Sequence, residues 1–162
     1  FACFPSLFLG LIGPGGQLEH YDGRVRVIDA TGSPVADGLA ASDYPHYIGE
    51  AVEPWTYLKF PYYLPHGYPD GMYRVGPLAR LNVIVRCGTE QADLELQQFR
   101  QMETAGPVLS SFHGHYARLI REKAIVRRLI ESVPRIVEEP GHATTARDRE
   151  KLADVFRSAD AG

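Results

Sequence analysis

The histidines and serines near residue 112 are the side chains whose types and spacing come nearest to a chemical site. His113 and His115 form an H-x-H pair directly after Ser110 and Ser111. On a strand, such a pair could present two imidazoles to one metal ion. The pair falls at the start of a predicted helix, where side chains two residues apart point to nearly opposite sides. We therefore expect these histidines to contact backbone or a neighbouring chain, and a shared metal would require the helix to begin after His115.

The two serines do not turn this pair into a hydrolase site. Neither lies in a G-x-S-x-G turn or another nucleophile context. Glu138, Glu139 and His142 form a loose carboxylate and imidazole cluster, but the Pro-Gly pair between them leaves the geometry undefined. The residues alone therefore indicate no self-contained active site.

The two cysteines, Cys3 and Cys87, are far apart, and neither belongs to a C-x-x-C pair. The sequence thus predicts neither a disulfide framework nor a zinc site, and we expect both cysteines to be buried small apolar residues. We predict no catalytic, cofactor-binding or metal-binding residue in this chain.

Composition limits the function classes. The chain has 162 residues, of which 44% are hydrophobic, a net charge of −3 and a pI near 6.1. These values favour one domain or part of one and give no footprint of nucleic-acid binding. No apolar run approaches the roughly 20 residues that span a bilayer, so we expect a soluble, cytoplasmic protein. Because the chain begins with Phe1 and has no signal peptide, we interpret it as an internal piece of a longer polypeptide.

The first third of the chain predicts a three-stranded antiparallel meander. Apolar or alternating runs over 6–12, 17–21 and 24–29 are separated by turn residues at 13–16 and by Asp22-Gly23. The glycine cluster at 13–16 is followed by neither Lys-Ser/Thr nor a helical pattern, so it favours a hairpin over a phosphate-binding loop.

Residues 57–83 are rich in tyrosine, proline and glycine, which is typical of a rigid irregular backbone path. We predict a short helical segment from Asp43 to Pro54, followed by an aromatic path that packs in a groove between larger elements. A ligand pocket is the alternative for this path. Arg74 and Arg80 within it are candidate supporting residues, because buried guanidinium groups are costly to leave unpaired.

Three helices are predicted in the second half: a short buried one after Pro77, one from an N-cap at Thr89 to residue 106, and a long one from Ser110 or Ser111 to about Val133. Pro134 is expected to kink or end the long helix. Its apolar stripe consists of Phe112, Tyr116, Leu119, Val126, Ile130 and Val133. Its other face carries Arg118, Arg121, Lys123, Arg127 and Arg128 and is expected to be solvated or to face another subunit.

The fold class is therefore α+β. We predict one domain over 1–140, made of a small N-terminal antiparallel β-meander (1–36), an irregular aromatic and proline-rich stretch with a short helix (37–77) and a helical part with one long helix (78–140). Residues 141–162 form a polar tail, and the pattern leaves its continuity with the domain open.

One family resemblance rests on several motifs in order. The string from Tyr73 to Arg80, Y-R-V-G-P-L-A-R, preceded by E-P-W-T-Y-L-K-F-P-Y at 53–62, resembles the central region of the large subunit of nickel-iron hydrogenases. L-G-L-I at 9–12 with Y-D-G-R at 21–24 resembles the family's small hairpin region, and H-Y-A-R at 115–118 resembles the start of its long central helix. The resemblance covers about residues 4–139 and is nearest to the cytoplasmic, multi-subunit, NAD(P)-linked type.

This resemblance implies a parent enzyme that splits hydrogen heterolytically at a nickel-iron centre with carbon monoxide and cyanide on the iron. In the family, two C-x-x-C motifs near the two ends of the large subunit hold that centre. Electrons then pass to an iron-sulfur small subunit, and from there to a flavin-containing module that reduces NAD(P). These partners and the nickel-iron centre are implied for the complete large subunit.

This chain departs from the family pattern because it has neither C-x-x-C motif, and after Gly141 it no longer follows the expected sequence. We therefore interpret it as the central scaffold segment of such a subunit, expected by itself to bind no nickel and evolve no hydrogen. The alternatives are a non-enzymatic interaction or assembly protein related to the large subunit, and a small-ligand domain that uses the aromatic stretch as its pocket wall.

Overall fold

The computed structural model describes residues 5–103 and 106–138, and for residues 132–138 it describes the backbone only. This part of the chain contains six strands and three α-helices. The strands are β1 (Leu7–Ile12), β2 (Arg24–Ile28), β3 (Pro34–Leu39), β4 (Ile48–Val52), β5 (Lys59–Tyr63) and β6 (Tyr73–Arg74). The helices are α1 (Pro77–Val83), α2 (Glu90–Arg100) and α3 (Gly114–Glu138). The predicted α+β class is confirmed.

β1 lies inside a four-stranded sheet of order β3-β2-β1-β6. It pairs antiparallel with β2, so that Leu9 lies opposite Val27, and parallel with β6, so that Leu7 lies opposite Tyr73. The parallel pair brings the Y-R-V-G-P-L-A-R string directly beside the first strand, because β6 is the beginning of that string.

The prediction that residues 17–21 form the middle strand of the meander is wrong. Residues 17–21 contribute two isolated bridges, one from Leu18 to Ile12 and one from Gln17 to Arg86, and the third strand of the meander is β3. The Leu18 amide instead donates to the carbonyl of Arg86, 2.8 Å away, in the segment that follows α1. A long-range partner thus replaces the local hairpin.

The predicted helix from Asp43 to Pro54 is also wrong. Ala41–His46 form a single 3-10 helix, and the residues after it form β4, which pairs antiparallel with β5. Ile48 and Val52 therefore belong to a two-stranded hairpin, with Ile48 opposite Tyr63. This hairpin occupies much of the stretch that was expected to be irregular.

The four-stranded sheet has an apolar cluster on each face, as the twofold alternation of strand side chains requires. Phe8, Ile12 and Ile28 pack with the three helices on one side. Leu7, Val25 and Val27 pack with Tyr47 and Tyr63 of the hairpin region on the other. The helices and the hairpin thus cover opposite faces of the same sheet.

α1 begins at Pro77, as predicted, and ends at Val83. α2 begins after Thr89, but the Thr89 hydroxyl makes no capping bond. Oδ1 of Asp93 accepts from the backbone amide of Cys87 instead, which fixes the turn between α1 and α2. α3 continues past Pro134 to Glu138, so Pro134 does not end the helix, and a kink at this proline stays a prediction.

The buried face of α3 differs from the predicted stripe. Ala117, Ile120 and Ala124 are buried against the helical core, whereas Leu119 is 64% exposed and Val126 is 53% exposed. The small alanine side chains let α3 approach α1 and α2 closely, and this turns the larger stripe residues outward. Among the described helices, none is both long and apolar enough to cross a membrane.

Candidate functional site

The described residues do not fit a nickel-iron centre. They contain no group of three or more His, Cys, Asp and Glu side chains that could hold a metal ion. Cys87 is fully buried, and burial first and the Asp93 charge second raise its pKa to about 11, which keeps it a thiol. A soft metal requires the thiolate. Cys3, Glu139 and His142 lie outside the described residues.

The H-x-H pair does not converge on a common point. His113 lies in a 3-10 turn before α3, and its Nδ1 is buried without a hydrogen-bond partner. His115 lies on the first turn of α3 and is exposed. The His113 ring packs edge-on against the Phe112 ring, with their centroids 5.9 Å apart.

Arg74 joins three parts of the chain at the edge of the sheet. Its Nε donates to the hydroxyl of Ser6 at 2.8 Å, and its Nη1 donates to the carbonyl of Leu109 at 2.7 Å. Its guanidinium also lies over the ring of Phe8, 4.7 Å from the ring centroid. This arrangement links the β1–β6 pair to the segment that leads into α3.

Further arginines bind backbone carbonyls within and beside the extended segment that follows α1. Arg26 donates to the carbonyl of Val83 at 3.0 Å, and Arg100 donates to that of Ile84 at 2.6 Å. Arg128 donates to the carbonyl of Leu18 at 3.0 Å and also to that of Cys87. Because buried carbonyls need donors, these contacts hold an irregular segment in one conformation.

Arg128 was assigned to a solvated or subunit-facing surface, and the structure corrects this. It lies four residues after Ala124, on the face of α3 that packs on the core. Ala117 and Ala124 indicate this buried face in the sequence. The prediction followed the larger apolar side chains instead and therefore chose another face.

α2 and α3 are linked by a polar contact around one carboxylate. Oε2 of Glu95 accepts from the Tyr116 hydroxyl at 2.6 Å, and Oε1 accepts from Lys123 Nζ at 3.1 Å. The hydrogen bond to Glu95 raises the pKa of Tyr116 to about 12. This contact holds the two helices side by side and leaves Tyr116 protonated.

Arg80 and His20 lie together beside β1. Arg80 is half-buried on α1, and burial and the nearby Arg121 lower its pKa. Burial, followed by the charges of Arg80, Arg121 and Arg128, lowers the pKa of His20, whose Nε2 is buried without a partner. Sequence reasoning identified Arg80 and missed His20, since a single histidine in a turn carries no pattern.

The aromatic path does not lie in a groove. Trp55 is 74% exposed and Tyr57 is 95% exposed at the outer end of the β4–β5 hairpin. Trp55 and Phe60 contact each other with ring centroids 5.6 Å apart, and Tyr62 contacts Tyr68 at 5.9 Å. The expected core packing therefore holds for Tyr63 and is wrong for the tip of the hairpin.

Comparisons with known proteins place these features among hydrogenase subunits. The chain is 33% identical over 140 residues to the NAD-reducing hydrogenase HoxS subunit beta of Cupriavidus necator, covering 86% of this chain and 28% of that protein. It is 40% identical over 116 residues to a vhu subunit of the F420-non-reducing hydrogenase of Methanocaldococcus jannaschii, covering 71% of this chain and 27% of that protein. No protein-family model matches the chain.

A solved structure is similar as well. The crystal structure of an NAD+-reducing NiFe-hydrogenase in the H2-reduced state matches with a TM-score of 0.69 and 40% identity, covering 76% of this chain and 27% of that chain. The homologues of this chain are thus hydrogenase subunits, and the chain spans less than a third of their length.

Proposed function

We propose that this chain is the central scaffold segment of a nickel-iron hydrogenase large subunit of the cytoplasmic, NAD(P)-linked type. The observation that carries the proposal is the match to two hydrogenase subunits and one NiFe-hydrogenase structure, each over more than two thirds of this chain. The parent enzyme would interconvert hydrogen with protons and electrons and pass the electrons toward NAD(P). As a separate segment the chain would be inactive.

The contacts within the chain support a scaffold role. Arg74 and Arg128 each join segments distant in sequence, and both bind backbone carbonyls. Such bonds hold irregular backbone in place without offering a reactive group to a substrate. The nickel-iron centre of the proposed parent would depend on cysteine pairs that this sequence does not contain.

The proposed partners are a flavin-containing NAD(P) module and the iron-sulfur small subunit. Large exposed apolar side chains on α3 and at the hairpin tip support a role in a larger assembly, since exposed apolar groups on a surface are typical of contact sites. Leu119, Val126, Trp55 and Tyr57 are all more than half exposed. We take residues 1–140 as the part that assembles and leave the tail after Gly141 outside this proposal.

A segment exchange tests the function. The matching region of the Cupriavidus necator protein is replaced by residues 5–138 of this chain, and NAD reduction by hydrogen and nickel content are measured. We expect both to be retained at a reduced level. A matched exchange carrying Gly10→Val should lose both, because a side chain at that position would collide with Val83.

The purified chain itself separates the proposal from its alternatives. Stoichiometric nickel in the chain alone would contradict an inactive scaffold segment. A stable complex with a hydrogenase subunit, together with a segment exchange that assembles without activity, would instead favour the non-enzymatic assembly protein.

A further inference from the structure

Two Asp-Gly dipeptides, Asp22-Gly23 and Asp70-Gly71, occur in this chain. Both aspartates are exposed. In such a dipeptide the glycine amide nitrogen can attack the side-chain carboxyl of the aspartate, because glycine has no Cβ to hinder the approach. The two sites share this local chemistry, so a difference in their reactivity is set by the surrounding fold.

The reaction requires no reagent other than water. A bond forms between the glycine nitrogen and Cγ of the aspartate, and the carboxyl hydroxyl leaves with the amide proton as one water molecule. Water then opens the five-membered imide. Attack at the former main-chain carbonyl breaks its bond to nitrogen and leaves the chain connected through Cγ, which is an isoaspartate, whereas attack at Cγ restores the aspartate. Isoaspartate has one additional methylene in the main chain.

The fold holds Asp70-Gly71 in a tight turn. The Gly71 amide donates to the carbonyl of Gly67 at 2.6 Å, and the Gly71 carbonyl accepts from the Tyr63 amide at 2.8 Å. Gly71 itself is buried. The nitrogen that would have to attack is therefore bonded and enclosed, and the attack requires the turn to open first.

The Gly23 amide is not held in this way. It donates no hydrogen bond to a described residue, and it lies just before β2, outside the ladder that β1 and β2 form. The fixed part of this turn precedes it, where Oε1 of Glu19 accepts from the amides of His20 and Tyr21. The reaction at Asp22 therefore begins from a nitrogen that has no hydrogen bond to break.

We propose that Asp22 converts to isoaspartate in the folded chain, whereas the turn around Asp70 protects that residue. Because residues 17–21 form no strand, no hairpin holds the Asp22-Gly23 dipeptide. Asp22 is thus a site of spontaneous covalent modification. This inference concerns the chemical lifetime of the fold and does not depend on the proposed scaffold role.

The modification would displace the beginning of β2. Gly23 is packed so closely that a Cβ there would lie 2.9 Å from Leu11 Cβ and 3.0 Å from the carbonyl oxygen of Ile12. Arg24, the next residue, pairs with Ile12 of β1. Since this contact has no room for an additional methylene, the longer main chain moves Arg24 out of register and weakens the β1–β2 pair.

Incubation of the purified 162-residue chain tests the proposal. The folded chain is kept in mildly acidic buffer at physiological temperature and then digested with trypsin, which cleaves after Arg24 and Arg74 and leaves the two aspartates in separate peptides. Isoaspartate has the mass of aspartate, so the isomers are separated by chromatography and identified by labelling with isoaspartyl methyltransferase. We expect isoaspartate to form at Asp22 at least about fivefold faster than at Asp70, because the reaction at Asp70 must first break a hydrogen bond of the turn.

A parallel sample in concentrated urea separates the effect of the fold from that of the dipeptide. Without tertiary structure the rates at the two sites should approach each other. Asp22→Glu would have to form a slower six-membered ring, so this variant should lose most of the isoaspartate and keep its urea unfolding midpoint during incubation. Asp70→Glu is the matched control and should leave the rate at Asp22 unchanged.

Three results would overturn the proposal. The first is a folded chain in which Asp70 reacts as fast as Asp22. The second is a folded chain in which Asp22 stays intact while the sample in urea reacts. The third is an unchanged urea unfolding midpoint in chain enriched in isoaspartate at position 22, since that would contradict the displacement of β2.

Discussion

At the scale of single residues, arginine side chains hold much of the irregular backbone of this molecule in place. Arg26, Arg100 and Arg128 come from different elements, and each binds a carbonyl in the segment after α1 or beside it. Charged donors make stronger hydrogen bonds than neutral ones. The segment 84–88 therefore depends on side chains far from it in sequence.

Replacing Arg128 with methionine tests this dependence. We expect the free energy of unfolding to fall by about 1.5–3 kcal/mol, because a charged donor to two carbonyls is lost while the apolar stem is kept. Arg118→Met, on an exposed part of α3, should change stability by less than about 0.5 kcal/mol. Urea unfolding of the two variants makes the comparison, and equal losses would contradict it.

The Arg26–Asp37 ion pair gives a pH dependence of defined sign. Arg26 binds both carboxylate oxygens of Asp37, at 2.8 Å and 3.1 Å, and the hydrogen bond from Arg26 lowers the pKa of Asp37. The stabilisation is therefore complete above the ordinary aspartate pKa near 3.9 and is lost as the pH falls through the lowered value. Because Asp37 is half exposed, the ion pair stabilises the folded chain by only about 0.5–1 kcal/mol.

Asp37→Asn should therefore be less stable than the parent chain near pH 7 and equally stable near pH 2. Urea unfolding across this range measures the difference, and Asp22→Asn, an exposed position, serves as the control. A difference that stays constant down to the lowest pH would contradict the assignment to this ion pair.

At the scale of elements, α3 has its small side chains inward and several large ones outward. The buried residues Ala117 and Ala124 flank Ile120, which is 2% exposed. Close approach of α3 to α1 and α2 requires small residues at the contact, and the outward face then keeps apolar side chains that have no role in this core. The direction of α3 is thus set by its alanines.

Two adjacent positions on α3 test this orientation. Ile120→Ala should destabilise the chain by about 2–5 kcal/mol, because it removes buried methylene groups from the core. Leu119→Ala should cost less than about 0.5 kcal/mol, since that side chain is mostly exposed. Thermal or urea unfolding would reveal the reverse order if the predicted stripe, rather than the alanines, faced the core.

The contact between β1 and α1 depends on Gly10. A Cβ added there would lie 2.6 Å from Val83 Cγ2 and 3.5 Å from the Cα of Arg80. Gly10→Ala should therefore destabilise the chain by about 1–3 kcal/mol. Gly114→Ala meets nothing within 4 Å at a helical position, so it should be neutral or stabilise by about 0.5–1 kcal/mol. Unfolding midpoints in urea distinguish the two variants.

At the scale of the whole molecule, one sheet joins a helical layer to a hairpin region, and both outer surfaces keep exposed apolar groups. Leu119 and Val126 lie on α3, while Trp55 and Tyr57 lie at the hairpin tip. Apolar surface of this kind is typical of a chain that meets other polypeptide in its working assembly. The hydrogenase relatives, of which this chain spans less than a third, accord with that view.

The separate chain is therefore expected to self-associate as its concentration rises. Light scattering coupled to size-exclusion chromatography measures the mass, and the double variant Leu119→Gln, Val126→Gln should shift it toward the monomer without lowering stability. A monodisperse monomer at all concentrations, with a sharp unfolding transition, would contradict this expectation.

The sequence by itself determined the fold class, β1 and β2, the start of α1 at Pro77, the existence of the long helix and the resemblance to hydrogenase subunits. These features depend on local periodicity, on the fixed φ of proline, or on short motifs in a set order. They need no knowledge of which distant segments meet.

The tertiary structure alone decided what residues 17–21 pair with, that residues 48–63 form a hairpin, and which face of α3 is buried. It also brought His20 beside Arg80 and turned Arg128 toward the carbonyls of Leu18 and Cys87. The physical reason is that a backbone donor can bond any acceptor, and an apolar face can pack against any apolar surface, that the folded chain places beside it. Local patterns in the sequence do not record that choice.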